Sequence, residues 1–389
     1  MAVFPLDVIV EILSRLPVKP LLRFRCVSKP LCALIDSHDF IRAHLKLSDE
    51  TRNHLGLILW SRSLYSVDFA SLDNAVELDH PLISRDNRTE VLGSCDGLIC
   101  MINCPDMGPM AIWNPSTRRC HKLPILELES LGQVTAADDM IYGFGYDSVN
   151  DDYKVVSIFQ MIGDRKDSFV SFVKVYSMKS NSWGRIQDFP YCHPYKWRCG
   201  VLVGSALHWV VRRMPEDTAN LIAAFDLTNE DYKLVPQPEF SDNTFHMYIA
   251  ELGGCLCILC NYDPARYEVW VMKDYGVKES WSKLFSIAQP EEIRSLDFVV
   301  PVAYSKSGCE VLLVQEHYKL VSYDLKHKTI KKINILGIPN EFDLAVCVES
   351  LVPLNGGDKT YGKNQGYERE KKKKKKRDDF LSKGFKLVL

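Results

Sequence analysis

The sequence predicts an α+β multidomain protein: a small N-terminal helical module followed by an all-β domain of kelch-like propeller type with six blades. Three observations predict it. Helical periodicity is confined to the first 47 residues. From Leu55 onward, short β-branched and aromatic runs alternate with turn pairs. An aromatic residue followed closely by a polar turn residue returns six times, at intervals of about 50 residues. A chain of 389 residues has room for two domains or slightly more, and 46% hydrophobic with 25% charged residues is the composition of a globular protein with a sizeable core.

The helices come first. Pro5 stands before Asp7–Leu16, in which Val8, Ile9, Ile12, Leu13 and Leu16 fall on one helical face, and Pro17 ends the stretch. A second helix is expected over Val18–Val27, with Pro20 in its first turn, where the missing N–H costs nothing. Ser28 and Ser37 are placed to cap two further helices, Lys29–Ile35 and Asp39–Leu45. So few residues bury too little surface to stand alone, so the apolar excess of this module is expected to face another protein.

The strands follow. The recurring marks are Tyr65, Trp113, Tyr176, Phe225, Trp270 and Tyr323, separated by 48, 63, 49, 45 and 53 residues. Further strands are expected after most of them, at Leu123-Pro124, Trp183–Ile186, Tyr232–Pro236, Trp281–Ile287 and Ile330–Ile335. Hairpin turns are expected at Asp96-Gly97, Gly204-Ser205, Gly253-Gly254 and Ser307-Gly308. About 50 residues per four-stranded unit is the period of kelch-type blades, and six marks predict six blades. Cys347–Val352 is expected to pair into the first blade and close the ring; a large irregular β-sandwich is the alternative.

The domain plan is therefore a helical module over 1–47, a β domain over 48–354 and a Lys-rich tail over 355–389, expected to be disordered. The net charge of −2 conceals an asymmetry: from Asp358 onward 12 Lys and Arg face 5 Asp and Glu, which leaves 36 against 45 in residues 1–357. An acidic folded body argues against a nucleic-acid binder, whose positive charge belongs on the folded surface. The run Lys371–Arg377 reads equally as a nuclear address and as a solvated tail. No apolar run approaches the roughly 18 residues that span a membrane, and Met1–Leu6 lacks the pattern of a leader. Thirteen cysteines without a framework spacing read as small buried hydrophobes, so a reducing cytoplasm or nucleus, or both, is the expected location.

The segment Phe4–Pro17, continuing through Leu21–Lys29, resembles an F-box. Downstream, Gly93–Cys100, Trp113–Arg118, Tyr142–Asp147, Asp152–Val156, Leu207–Trp209 and Val269–Lys273 resemble the plant F-box-associated interaction domain. The likeness is nearest to plant F-box proteins of the constitutive-expresser-of-PR-genes type, and S-locus F-box proteins share the layout. What the resemblance implies is the substrate-recognition subunit of an SCF-type E3 ubiquitin ligase. Its F-box would bind a Skp1-like adaptor, and through it a cullin, while its β domain holds a protein target for ubiquitination and proteasomal degradation, with plant immune regulation as the setting. Carried over to this chain, the adaptor-binding positions are Pro5, Val8, Ile9, Ile12, Leu13, Leu16, Pro17, Leu22 and Val27. Leu31 stands where the family generally has Trp.

Candidate chemistry is sparse, and a non-enzyme with no cofactor or metal is expected. Gly357–Asn364 nearly fits a P-loop, yet Asn364 occupies the place of the magnesium-binding hydroxyl. Cys255, Cys257 and Cys260 lack a second ligand pair at zinc-finger spacing, and Cys260 falls on the other face of the strand. His208 has no accompanying nucleophile motif and reads as a packed residue. A propeller lectin or enzyme with a helical appendage, and an F-box protein without a ligase role, remain as alternatives. The sequence names neither the target nor the loops that would bind it.

Overall fold

Four helices and six sheets, five of four strands and one of five, make up the computed structural model, which describes residues 5–84, 87–104, 108–127, 140–162, 169–194, 199–242, 244–262, 266–288, 299–315, 317–354 and 359–360. The helices are α1 Leu6–Ser14, α2 Val18–Phe24, α3 Lys29–Ile35 and α4 His38–Thr51. Ser28 and Ser37 cap the last two as expected, their hydroxyls accepting from the N–H of Leu31 and of Phe40, each at 3.3 Å. α4 runs on to Thr51 and ends at Arg52, whose φ of 51° turns the chain toward the β domain.

The β domain is a propeller. Blade 1 holds β1 Leu55–Trp60, β2 Leu64–Asp68 and β3 Val76–Glu77, with β24 Asp343–Val348 as its innermost strand. Blade 2 is β4 Arg88–Cys95, β5 Leu98–Cys104, β6 Met110–Asn114 and β7 Arg119–Lys122. Blade 3 is β8 Met140–Asp147, β9 Asp152–Ile162, β10 Phe169–Ser177 and β11 Ser182–Arg185. Blade 4 is β12 Val201–Val203, β13 Ala206–Val211, β14 Leu221–Asp226 and β15 Tyr232–Leu234. Blade 5 is β16 His246–Leu252, β17 Cys255–Tyr262, β18 Arg266–Met272 and β19 Trp281–Ala288. Blade 6 is β20 Val299–Tyr304, β21 Glu310–Gln315, β22 Lys319–Asp324 and β23 Ile330–Ile333. The innermost strands β24, β4, β8, β12, β16 and β20 pack each on the next around a central channel.

All six aromatic marks lie on the third strand of their blades, which is why they counted the blades correctly. The chemistry of the mark is visible in its turn. In four blades an Asx residue one to three positions later takes the N–H groups of the turn: Asp68 those of Ala70 and Ser71, Asn114 those of Ser116 and Thr117, Asp226 those of Thr228 and Asn229, Asp324 those of Lys326 and His327. The aromatic anchors the strand between sheets while the carboxylate or amide fixes where it reverses.

Two strands lie elsewhere than the sequence predicts. The outer strand of blade 2 is Arg119–Lys122, ahead of Leu123-Pro124, since the backbone pairing follows directly from the turn at Ser116–Arg118. The ring-closing strand is Asp343–Val348, paired Leu55 to Val348 through Trp60 to Asp343, and it ends before Val352. The apolar residues Leu351, Val352 and Leu354 are buried as an irregular segment instead. The short strand β25 Lys359–Thr360 pairs along β7; Gly357, Asn364 and the run Lys371–Arg377 lie outside the described residues.

Each interface between neighbouring blades is filled by its own apolar cluster, such as Ile58, Leu64, Ile99 and Trp113 between blades 1 and 2. The cluster between blades 2 and 3 is different, because it continues into the helices: Leu13, Val18, Leu21, Ile35, Phe40 and Leu45 share it with Leu98, Tyr153 and Val348. The helical module thus completes its core on the protein's own propeller. That corrects the expectation that its whole apolar excess faces another protein.

Candidate adaptor surface and the two faces of the propeller

Chain direction assigns the two faces. Turns joining first to second and third to fourth strands lie on one face, including Asp96-Gly97, Asp151, Gly204-Ser205, Gly253-Gly254 and Ser307-Gly308. The helical module sits on this face: Arg42 reaches Asp96, and Arg52 donates to the carbonyl of Ser305 at 3.0 Å. Connections from second to third strands and from blade to blade open on the other face.

Within the module, the nine predicted adaptor-binding residues divide by exposure. Pro5, Val8, Ile12 and Val27 are exposed, Ile9, Leu16, Pro17 and Leu22 are half-buried, and Leu13 is buried. Ile12 is 54% and Val27 70% exposed, whereas its neighbour Leu13, at 5%, points into the shared core. Leu6 and Phe24, absent from the sequence-derived set, are exposed as well, at 63% and 41%. Solvent-facing Leu6, Val8, Ile12, Phe24 and Val27 on three successive segments are an apolar surface of the sort that a partner covers. Leu31 is half-buried against the shared cluster. The turn between α1 and α2 is held from below: buried His44 of α4 bonds the carbonyl of Leu16 at 2.9 Å, and Glu349 accepts from the N–H of Val18 at 2.9 Å. Burial pushes the His44 imidazole below its ordinary value, so it sits neutral beneath that turn.

On the opposite face the channel opens between innermost strands as a cavity of about 520 Å³ lined by Leu92, Leu202, Val300 and Val346, with Glu90 and Glu251 among its walls. Trp60 stands at its rim, as do the ion pair of Arg88 with Glu90 and the hydrogen bond between His317 Nδ1 and Asp343 Oδ1 at 2.8 Å. The Glu251 carboxylate accepts from the N–H of Gly254.

His208, Cys257 and Cys260 are packed within and between the blades. His208 is fully buried, its Nε2 2.6 Å from Tyr275 Oη and its Nδ1 3.1 Å from the carbonyl of Val201, and burial lowers its pKa to about 4. Cys257 belongs to the cluster between blades 5 and 6 and Cys260 to the one between blades 4 and 5, so they face away from each other. Burial raises both thiols, Cys260 to about 12. Among the described residues no three His, Cys, Asp or Glu side chains come together as a metal site, and no helix is long and apolar enough to cross a membrane.

Known families match both halves. The F-box domain family matches residues 3–43, and the family described as the F-box associated beta propeller domain matches residues 61–354. The chain belongs to the plant F-box proteins with an F-box-associated propeller. F-box protein CPR1 of Arabidopsis thaliana is 41% identical with both chains covered completely. F-box protein At4g22390 of the same plant is 36% identical, again over the whole of both chains. The F-box/kelch-repeat protein At3g23880 of Arabidopsis thaliana is 33% identical over 79% of this chain and 84% of its own. The helices therefore form the F-box, and the six blades are the F-box-associated propeller.

Proposed function

We propose that the chain is a substrate receptor of an SCF-type ubiquitin ligase. The F-box binds a Skp1-like adaptor and through it a cullin, while the propeller holds a protein target for ubiquitination and proteasomal degradation. The observation that carries this reading is the pairing of an outward apolar surface on α1, α2 and the following turn with a propeller seated behind it, whose free face points the other way. A bridging protein needs two such separated surfaces, and the fold supplies them on one body. In this role the chain itself is non-catalytic: it presents the target. Plant immune regulation is the setting that the likeness to CPR1 supports, and the cytoplasm and nucleus are where such a receptor would work.

The test is recovery of a Skp1-like adaptor and a cullin with the full chain, compared with a chain lacking residues 1–47. Proximity labelling with the proteasome inhibited then identifies proteins that accumulate near the full chain. Failure of the full chain to retain the adaptor would overturn the reading.

A further inference from the structure

The F-box touches the propeller through a polar contact that the adaptor surface leaves unused. Arg42, midway along α4, places Nη1 2.8 Å from Asp96 Oδ2 and Nη2 3.2 Å from Asp151 Oδ1. Asp96 lies in the first hairpin of blade 2 and Asp151 in the first hairpin of blade 3, so one guanidinium joins two blades to the helix. The Tyr146 ring packs against the guanidinium, 4.1 Å from its carbon, while Tyr146 Oη donates to Asp151 at 2.6 Å and Tyr153 Oη donates to Asp96 at 2.7 Å. Each carboxylate is thereby held by two donors, Arg42 on the helix and a tyrosine on a strand of blade 3. Arg is suited to this place because its planar fork offers two separated N–H edges, where the ammonium of Lys is a point charge able to hold one partner well.

Two further supports stand elsewhere on the ring. Arg52 donates to Ser305 O in blade 6 and lies over the Tyr304 ring at 5.0 Å, and Glu349, just after β24, accepts from Val18 N. Supports on blades 2 and 3, on blade 6 and beside blade 1 hold the module at separated points of the ring. We infer that Arg42 is a positioning residue: acting through Asp96 and Asp151, it holds the adaptor-binding helices at one angle to the free face of the propeller, and so fixes which lysines lie within reach of the ubiquitin-loaded enzyme. The second half of this inference rests on the receptor reading above.

The experiment separates the two halves. In the full chain, fluorescent labels carried on unnatural residues replacing exposed Lys19 in the F-box and exposed Arg213 on the far face report the distribution of distances between the two bodies. The wild-type distribution is expected to be narrow, and Arg42→Ala to widen it about twofold; Arg42→Lys, a gentler change that guards against misfolding, is expected to widen it as well. An unchanged width in both variants overturns the clamp. The same chains are then assembled with a Skp1-like adaptor, cullin, RING subunit, the ubiquitin-activating and ubiquitin-conjugating enzymes and ubiquitin, with the chain's own lysines as the probe. Self-modification mapped by mass spectrometry is expected to concentrate on a few lysines in the wild type and to spread over several-fold more in both variants, at unchanged adaptor recovery. Identical maps overturn the positioning role. No transfer by the wild type, with widths that still differ, overturns the receptor reading and leaves the clamp standing.

Discussion

The side-chain amide of Asn114 donates to the carbonyl of Val352 at 3.0 Å and also to that of Ser350 at 3.1 Å, tying the segment after the last innermost strand to the third strand of blade 2. Asn114 is fully buried, and its oxygen is occupied by the N–H groups of Ser116 and Thr117, so its hydrogen-bonding capacity is used completely. Asn114→Ala would leave two buried carbonyls and two turn N–H groups without partners. Each such loss costs about 1–3 kcal/mol where water cannot replace it, which holds for the two buried carbonyls but not for the half-buried turn N–H groups, so a total on the order of 3 kcal/mol is expected in urea denaturation. Asn114→Asp should be nearly as damaging, since a carboxylate cannot donate to the two carbonyls. Wild-type midpoints for both variants would refute the latch.

Adjacent residues of α1 are expected to separate adaptor binding from stability. Ile12→Asp places a charge on the exposed apolar surface and is expected to abolish recovery of a Skp1-like adaptor while leaving the melting temperature within a degree or two of wild type. Leu13→Ala empties a buried site and is expected to cost about 2–5 kcal/mol of stability. Pull-down and thermal melts on the same two proteins decide the matter. The reverse pattern, with Ile12→Asp unstable and Leu13→Ala blind to the adaptor, would mean that the exposed strip is not the binding surface.

Acid sensitivity follows above all from the two buried histidines whose pKa falls furthest. Burial lowers both His80 and His208 to about 4, against an ordinary value of 6.5. A group whose folded pKa lies below its unfolded one costs nothing above the unfolded value. As pH falls through 6.5 toward 4, the unfolded chain takes up protons that the folded chain refuses, and stability is lost across that window. Some 2.5 pH units correspond to about 3 kcal/mol for each site at the lower end. The expected outcome is a melting temperature flat between pH 7 and 8 that falls steadily below pH 6.5, with a shallower fall in a His80→Gln, His208→Gln double variant. An identical slope in the double variant would point to other groups.

Two hairpin glycines with similar backbone angles are expected to respond differently. Gly97 has φ of +74°, and a Cβ there would come within 2.3 Å of Ser350 Cβ and 2.4 Å of Val348 O. Gly204 has φ of +59° with nothing within 4 Å of the same atom. Gly204→Ala should cost only the conformational term, about 1 kcal/mol. Gly97→Ala must also push aside the backbone of the ring-closing segment, so several-fold more is expected, together with a weakened seat for Arg42 on neighbouring Asp96. Equal losses of stability in the two variants would show that the contact with Ser350 and Val348 yields freely.

The blade count was legible because Tyr65, Trp113, Tyr176, Phe225, Trp270 and Tyr323 occupy one structural position, and four of the six are followed by an Asx residue that reverses the chain. Strand limits were less legible where apolar residues belong to irregular backbone. Leu351 and Val352 read as strand because they are apolar, though they are buried as irregular backbone, and Arg119–Lys122 did not because Arg119 and Lys122 interrupt its apolar pattern. On α1 the spacing locates the apolar face but does not tell Ile12 from Leu13, since a helix that packs on two neighbours shows one broad apolar stripe. The contacts of Arg42 were beyond reach of any local pattern, its carboxylate partners lying 54 and 109 residues away in the chain.

Blade 1 takes its innermost strand from the far end of the domain, with Leu55 paired to Val348 and Trp60 to Asp343. During synthesis at about 5–20 residues per second, the ribosome needs roughly a quarter of a minute to a minute to travel from one partner to the other. For that interval the F-box and its neighbouring hairpins are already outside while the first blade still carries an open edge, where foreign strands can add. Premature termination anywhere before residue 343 leaves that edge permanently unpaired. Truncated products of this chain should therefore be insoluble or chaperone-bound, and they should not act as free F-boxes that compete for adaptor.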